Sequence, residues 1–227
     1  MSLIEGSTLR GEHALFSPSS PAWLGYSDEQ FIESMRSKYR AQLGTEIHEW
    51  SAIQIQLGQR VTGIRDAAKS IKTMIFQKYY SDRYGLSEFG STILANLKYV
   101  PSDVYNTVKA YVNDCVSDGM TPEEIIDYST NFFGTCDALR FDDRKNELKI
   151  YDLKTGVRAA KVEQLLGYSA LYCLKYHVDP YDISTELRIY QNCDVAIYNP
   201  EPDEVRTTMD TIIRFNDLMN KHNKGEL

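Results

Sequence analysis

Asp137 stands in "GTCDAL", Gly134 to Leu139, and Asp152 stands with Lys154 in "IYDLKTG", Ile150 to Gly156. Each acid sits in or beside a short apolar run, where an unpaired carboxylate is expensive to bury. The runs flank a polar "DDRKN" turn, so they read as the two arms of a β-hairpin. Alternation along "LKIYDLK" puts Leu148, Ile150, Asp152 and Lys154 on one face, and Lys149, Tyr151 and Leu153 on the other. Asp152 and Lys154 then leave the strand end on the same side, about 6–7 Å apart at their Cα atoms. Asp152, together with Asp137 on the partner strand, can bind a divalent cation, which removes the cost of the buried carboxylates. The lysine is held over the same centre. A lone "DLK" is more often an acid–lysine pair at a solvated strand end. The second acid, with Gly134 and Gly156 nearby, turns the balance towards a site.

The elements that must hold these residues divide the chain in two. Residues 1–118 read as mainly helical. Ser27 offers an N-cap with Gln30 at the capping-box position. From Leu43, apolar residues at Ile47, Trp50, Ile53 or Ile55, and Leu57 then follow one helical face, ending near Gly58. "VTGIRDAAKSIKTMIFQKYY" is a further helix, followed by a short one stopping before Pro101. Another starts at Ser102 and ends before Gly119. Residues 119–227 read as strand, catalytic hairpin, the helix "AAKVEQLLGYSALYCLKYH", a further strand or hairpin in "TELRIYQNCDVAIYNP", and a closing helix. With no internal repeat or obvious linker, one α/β domain spanning 1–227 is the simplest division.

Composition excludes several classes. The chain has 227 residues, a formal charge of −7, 42% hydrophobic and 25% charged residues. Such a balance suits a folded protein and argues against coating nucleic acid by bulk electrostatics, though not against a local basic groove. No apolar run approaches the roughly 20 residues that span a membrane. The N-terminus does not read as a secretory signal, so the expected location is cytoplasmic. Cys115, Cys136, Cys173 and Cys193 have neither zinc-knuckle nor CxxC spacing and read as reduced thiols. Sixteen tyrosines are many for this length; some could stack bases or line an interface, while most suit half-buried packing.

The order "GTCDAL…LKIYDLKTG…VEQLLGYSALY" resembles the PD-(D/E)XK nuclease superfamily, in particular its RecB-like branch of phage and CRISPR-associated exonucleases. That branch carries a "GT-x-D-A" strand, a "D-x-K" strand and a helix with "Q-L-x-x-Y". The matching positions are Asp137, then Asp152 with Lys154, then Gln164 with Tyr168. "GTEIHEW" resembles its "G-x-x-x-H" element, which makes His48 the implied histidine ligand, where the residues alone leave a hydrogen-bonded core-edge histidine equally open. The opening "SPSSPAWL" is also similar to related phage proteins, so the likeness runs from about Ser17 to Tyr172. It implies a restriction-endonuclease-like core, a central mixed sheet flanked by helices, behind a helical N-terminal portion. Some relatives use a glutamate before the "GT-x-D" strand. Glu123 is the nearest match and a secondary candidate only, because "TPEE" is also an ordinary helix start capped by Thr121. The cysteines lack the clustering of the relatives that hold an iron–sulfur cluster, so none is expected.

The expected activity is Mg²⁺- or Mn²⁺-dependent hydrolysis of DNA phosphodiester bonds. Asp137, Asp152, the Leu153 backbone carbonyl and His48 would hold one or two ions, and Lys154 would orient or deprotonate the water. Gln164 and Tyr168, four apart on one helix face, could orient that water, steady the hairpin or touch a phosphate; packing is the alternative for Tyr168. Glu46 and Glu49 read as helix-surface acids. Of Arg140, Arg144, Lys145, Arg158 and Lys161, the last two are the preferred DNA-backbone contacts, since they lie between the lysine and the following helix. With no zinc finger or helix-turn-helix visible, an exonuclease of phage or recombination-repair type is favoured over an endonuclease. Its expected partners are DNA ends, linear or single-stranded, a helicase, recombinase or single-strand-annealing protein, and a further copy of the chain if it oligomerises. The rival reading is a catalytically weak DNA-end-binding or assembly subunit of a helicase or recombination complex.

Overall fold

The computed structural model describes residues 15–156 and 161–226. Its helical portion starts with α1, Asp28–Gln56. The Ser27 hydroxyl accepts from the Gln30 amide, and the Ser27 amide donates to the Gln30 side chain, the expected capping box. Burial along α1 is confined to its second half, through Leu43, Ile47, Trp50 and Ile55. Helix α2, Ile64–Tyr79, buries Ala67, Ile71 and Ile75, spaced four apart on one stripe. A short hairpin, β1 (Tyr80–Ser81) with β2 (Gly85–Leu86), separates α2 from α3, Glu88–Asn96. The sequence pattern predicts helix up to Tyr80 and no strand there. Helix α4, Ser102–Asp118, follows Pro101 and stops at Gly119, whose φ of 65° is the left-handed turn that favours glycine.

The second portion runs β3 (Thr121–Ser129), β4 (Phe132–Asp142), β5 (Glu147–Leu153), α5 (Glu163–Tyr176), β6 (Ser184–Gln191), β7 (Asp194–Tyr198) and α6 (Pro202–Asn223). The strands form one five-stranded sheet in the order β3-β4-β5-β6-β7. Only β5 and β6 pair in parallel, and α5 is the crossover that such a pair requires. The sheet has a buried face on each side. Tyr151 and Leu153 pack with Ile47, Ile71 and Val112 of the first helices, whereas Leu148 and Ile150 pack with Leu165 of α5 and Val205 of α6. The protein is therefore α/β, a mixed central sheet between helical layers, with the expected hairpin and flanking helices.

"TPEE" starts no helix. Thr121 and Pro122 pair with Leu139 and Ala138, so this stretch is strand from its first residue. No helix among the described residues is long and apolar enough to cross a membrane.

Candidate active site

Alternation holds along β5, and the hairpin register places Tyr151 beside Ala138. Asp137 and Asp152 therefore fall opposite one another on neighbouring strands. On β4 the alternation breaks at Asp137. Cys136 belongs to the core under α5, yet Ala138, two residues on, belongs to the core under α1. Opposite the break, Pro122 pairs with Ala138 and Glu124 with Cys136, leaving Glu123 between them with φ 53°. For glutamate that is an uncommon conformation, of the kind that collects at functional sites. The local twist lets Asp137 reach the α1 side while Cys136 and Leu139 stay packed on the α5 side.

Asp137 Oδ2 accepts from the Leu153 backbone N–H at 2.8 Å and lies 3.4 Å from His48 Nδ1 on α1. Asp152 is buried, 3% exposed, and its carboxylate meets Lys154 Nζ at 2.9 and 3.0 Å. Lys154 also donates to Gln164 Oε1 on α5 at 3.1 Å. Tyr168 stands one turn along the helix from Gln164, close enough for the two side chains to interact. Gly134 makes that last contact feasible: a Cβ there would stand 2.7 Å from Tyr168 Cε1. The first residue of "GTCDAL" is thus the seat of the Tyr168 ring, and Tyr168 also packs against the α5 core.

The electrostatics match the crowding. Burial, then the Asp137 charge, pushes the Asp152 carboxyl up to about 6, although Lys154 and His48 pull it down. Burial and Asp137 also raise Glu123. Burial by itself lowers His48, but its hydrogen bond to Asp137 and the charges of Asp137, Asp152 and Glu123 outweigh it and raise the imidazole. Each of these shifts records the same surplus of negative charge at one end of the sheet.

The structure brings together Asp137, Asp152, Lys154, Gln164 and His48, with Leu153 in contact through its N–H. Glu123 joins them, lining the depression that His48, Glu49 and Asp137 share. Lys161 lies on the rim of the adjoining cleft with Lys154 and Gln164. Arg158 lies outside the described residues. Arg140 is tied to the Asp118 carbonyl and to Asp142, and Arg144 and Lys145 occupy the hairpin turn, so these three are not brought to the site. Glu46 departs from the surface position expected of it. It is buried and accepts from Lys78 and Tyr79, binding α2 to α1. Its place three after Leu43 and four before Trp50 puts it on the apolar stripe, a signal that could have found it. Nothing in the sequence marked Thr155, which lines the same depression as His48 and Asp137.

Whether these residues suit a divalent ion can be judged from their donors. Among the described residues no three His, Cys, Asp or Glu side chains form a ready group that could hold a metal ion. Asp152 faces Lys154, and Asp137 faces Leu153 and His48. Asp152 Oδ2 is buried and makes no well-directed hydrogen bond; its close polar neighbour is the Lys154 ammonium, 2.9 Å away. Carboxylate oxygens with one imidazole are a donor set that Mg²⁺ or Mn²⁺ accepts. In donor chemistry the residues fit such an ion. Comparison of the chain with protein-family models, with curated proteins and with solved structures gave no match.

Proposed function

We propose that the protein is a Mg²⁺- or Mn²⁺-dependent deoxyribonuclease with a restriction-endonuclease-like core of the PD-(D/E)XK, RecB-like kind. Within that class, the proposed role is an exonuclease of phage or recombination-repair type. One observation carries the reading: two acids from paired strands, a lysine, a helix-borne glutamine and a histidine converge at one end of the sheet. Asp137, Asp152, His48 and the Leu153 carbonyl would hold the ion. When bound, it supplies positive charge to the phosphate and lowers the pKa of water. Lys154, oriented by Gln164, positions the attacking water at Nζ and offsets the negative charge that develops on the phosphate. Tyr168 and Gly134 fix the helix that carries Gln164. Glu123 adds negative charge beside Asp137 and His48.

End-labelled linear DNA and closed circular DNA, each with Mg²⁺, Mn²⁺ or EDTA, test the assignment. Linear DNA should be degraded with either metal, circles spared, and EDTA should abolish cutting. Lys154→Ala should lower the single-turnover rate about 10²–10⁴-fold, the range of a positioned acid–base group, and leave circular dichroism unchanged. Efficient cutting of circles rejects the exonuclease assignment. No cutting of any DNA or RNA rejects the nuclease one.

The ion pair between Lys154 and Asp152 favours a second reading, a DNA-end-binding or assembly subunit that works beside a helicase or recombinase and cuts weakly. An acid satisfied by lysine has less need of a metal. Calorimetry separates the two. The enzyme should bind Mn²⁺ and lose it in Asp137→Ala or Asp152→Ala, whereas the scaffold should give little heat in any form.

A further inference from the structure

Three depressions meet at Gly44 and Thr155. One holds His48, Glu123 and Asp137. A second runs past Lys154, Lys161 and Gln164. The third is an apolar pocket between α1 and the corner joining α3 to α4. Both Gly44 and Thr155 line all three. A Cβ on Gly44 would stand 2.8 Å from Thr155 Oγ1, so helix and post-β5 segment touch only because this residue has no side chain. The apolar pocket opens out of the candidate active site.

Its chemistry is unlike the rest of that site. Leu43 and Ile47, both buried, line the pocket together with Val100, Pro101 and Val104. Two tyrosines stand at its sides: Tyr39 is half-buried and Tyr99 is 69% exposed. Two cations, Arg36 and Arg40, also line it. Arg40 pairs with Glu33, while Arg36 has no hydrogen-bond or ion-pair partner among the described residues. Lys98 Nζ lies 4.9 Å from the centroid of the Tyr99 ring. The volume is about 270 Å³, just under the roughly 300–1,000 Å³ of small-molecule pockets. One planar ring system fits such a space; a duplex does not.

We infer that this pocket receives an unpaired nucleobase of the strand whose phosphate lies at Asp137 and Asp152. Tyr39 and Tyr99 supply faces for stacking, and Arg36 and Arg40 supply charge for the backbone entering across Gly44. Aromatic stacking tolerates any base, because every base has a π-face, while the flanking cations follow the phosphates. The assignment rests on the nuclease reading and adds to it a base-accepting subsite beside the scissile bond, which a continuous duplex cannot fill.

Fluorescence anisotropy tests it, with Ca²⁺ replacing Mg²⁺, on a labelled oligothymidine, an abasic strand of equal length and a blunt duplex. Cleavage of linear DNA with Mn²⁺ is measured in parallel. The wild type should bind oligothymidine about tenfold or more tightly than either competitor. Tyr99→Ala should remove most of that preference and Tyr99→Phe should keep it; so exposed a residue can be replaced without disturbing the core. Equal affinity for the base-bearing and abasic strands, or an unchanged preference in Tyr99→Ala, overturns the pocket assignment. If linear DNA is still cut, the nuclease reading survives that result. A protein that neither binds nor cuts nucleic acid overturns both.

Discussion

Asp152 is the residue on which folding and chemistry pull in opposite directions. Its carboxyl is pushed up to about 6, from burial first and the Asp137 charge second, against about 3.9 in an unfolded chain. The folded state therefore holds this proton more tightly than the unfolded one. Asp152's contribution to stability is fullest below about pH 4 and is lost as pH rises through about 6. His48, also raised, acts in the same direction, since its contribution is lost as pH climbs through the folded value. Each pKa unit is worth about 1.4 kcal/mol, so charging Asp152 costs the metal-free fold on the order of 2–3 kcal/mol. Asp152→Asn should accordingly be more stable than the wild type at pH 7.5 in EDTA, and the advantage should fade by pH 4. Urea unfolding at several pH values measures this directly. A wild type at least as stable as Asp152→Asn at pH 7.5 would mean that the Lys154 pair outweighs burial.

At the scale of elements, the site depends on how closely α5 lies against β4. Gly134→Ala would place a methyl 2.7 Å from the Tyr168 ring, so ring and helix must shift. The expected cost is about 1–3 kcal/mol, the usual penalty of overpacking. Activity should fall with it, because Gln164 moves on the same helix. In a Tyr168→Ala background the added methyl should cost close to nothing. A double-mutant cycle on thermal unfolding reads this coupling, and additive effects would show that the contact does not hold the helix. The hairpin, the crossover helix and the Asp152–Lys154 face were legible because one two-residue rhythm governs β5 throughout. The strand after Gly119 was legible too, but the place of Glu123 was not, because its backbone leaves that rhythm at φ 53° between Pro122 and Glu124, which pair with β4. Asp137 breaks the alternation for the same reason, a tertiary constraint that local pattern cannot carry. Glu46 was legible in its spacing, but its partners Lys78 and Tyr79 come from another helix.

The whole molecule is acidic, with a formal charge of −7, yet its proposed ligand is a polyanion. Any favourable field must therefore be local. The described cations around the cleft and pocket are few: Arg36 and Arg40 line the apolar pocket, and Lys161 sits on the rim beside Lys154. Each phosphate neutralised on a single strand lowers the slope of log K against log[salt] by about 0.7. Three such contacts give a slope near −2, shallow for a nucleic-acid-binding protein. The measurement is oligothymidine affinity by anisotropy across a range of KCl, with Ca²⁺ held constant. Arg36→Ala should flatten the slope by about 0.7 and weaken binding of base-bearing and abasic strands alike, since a phosphate contact carries no base information. A wild-type slope steeper than about −5 would require many more cations than this cleft presents, and would move the binding surface elsewhere on the protein.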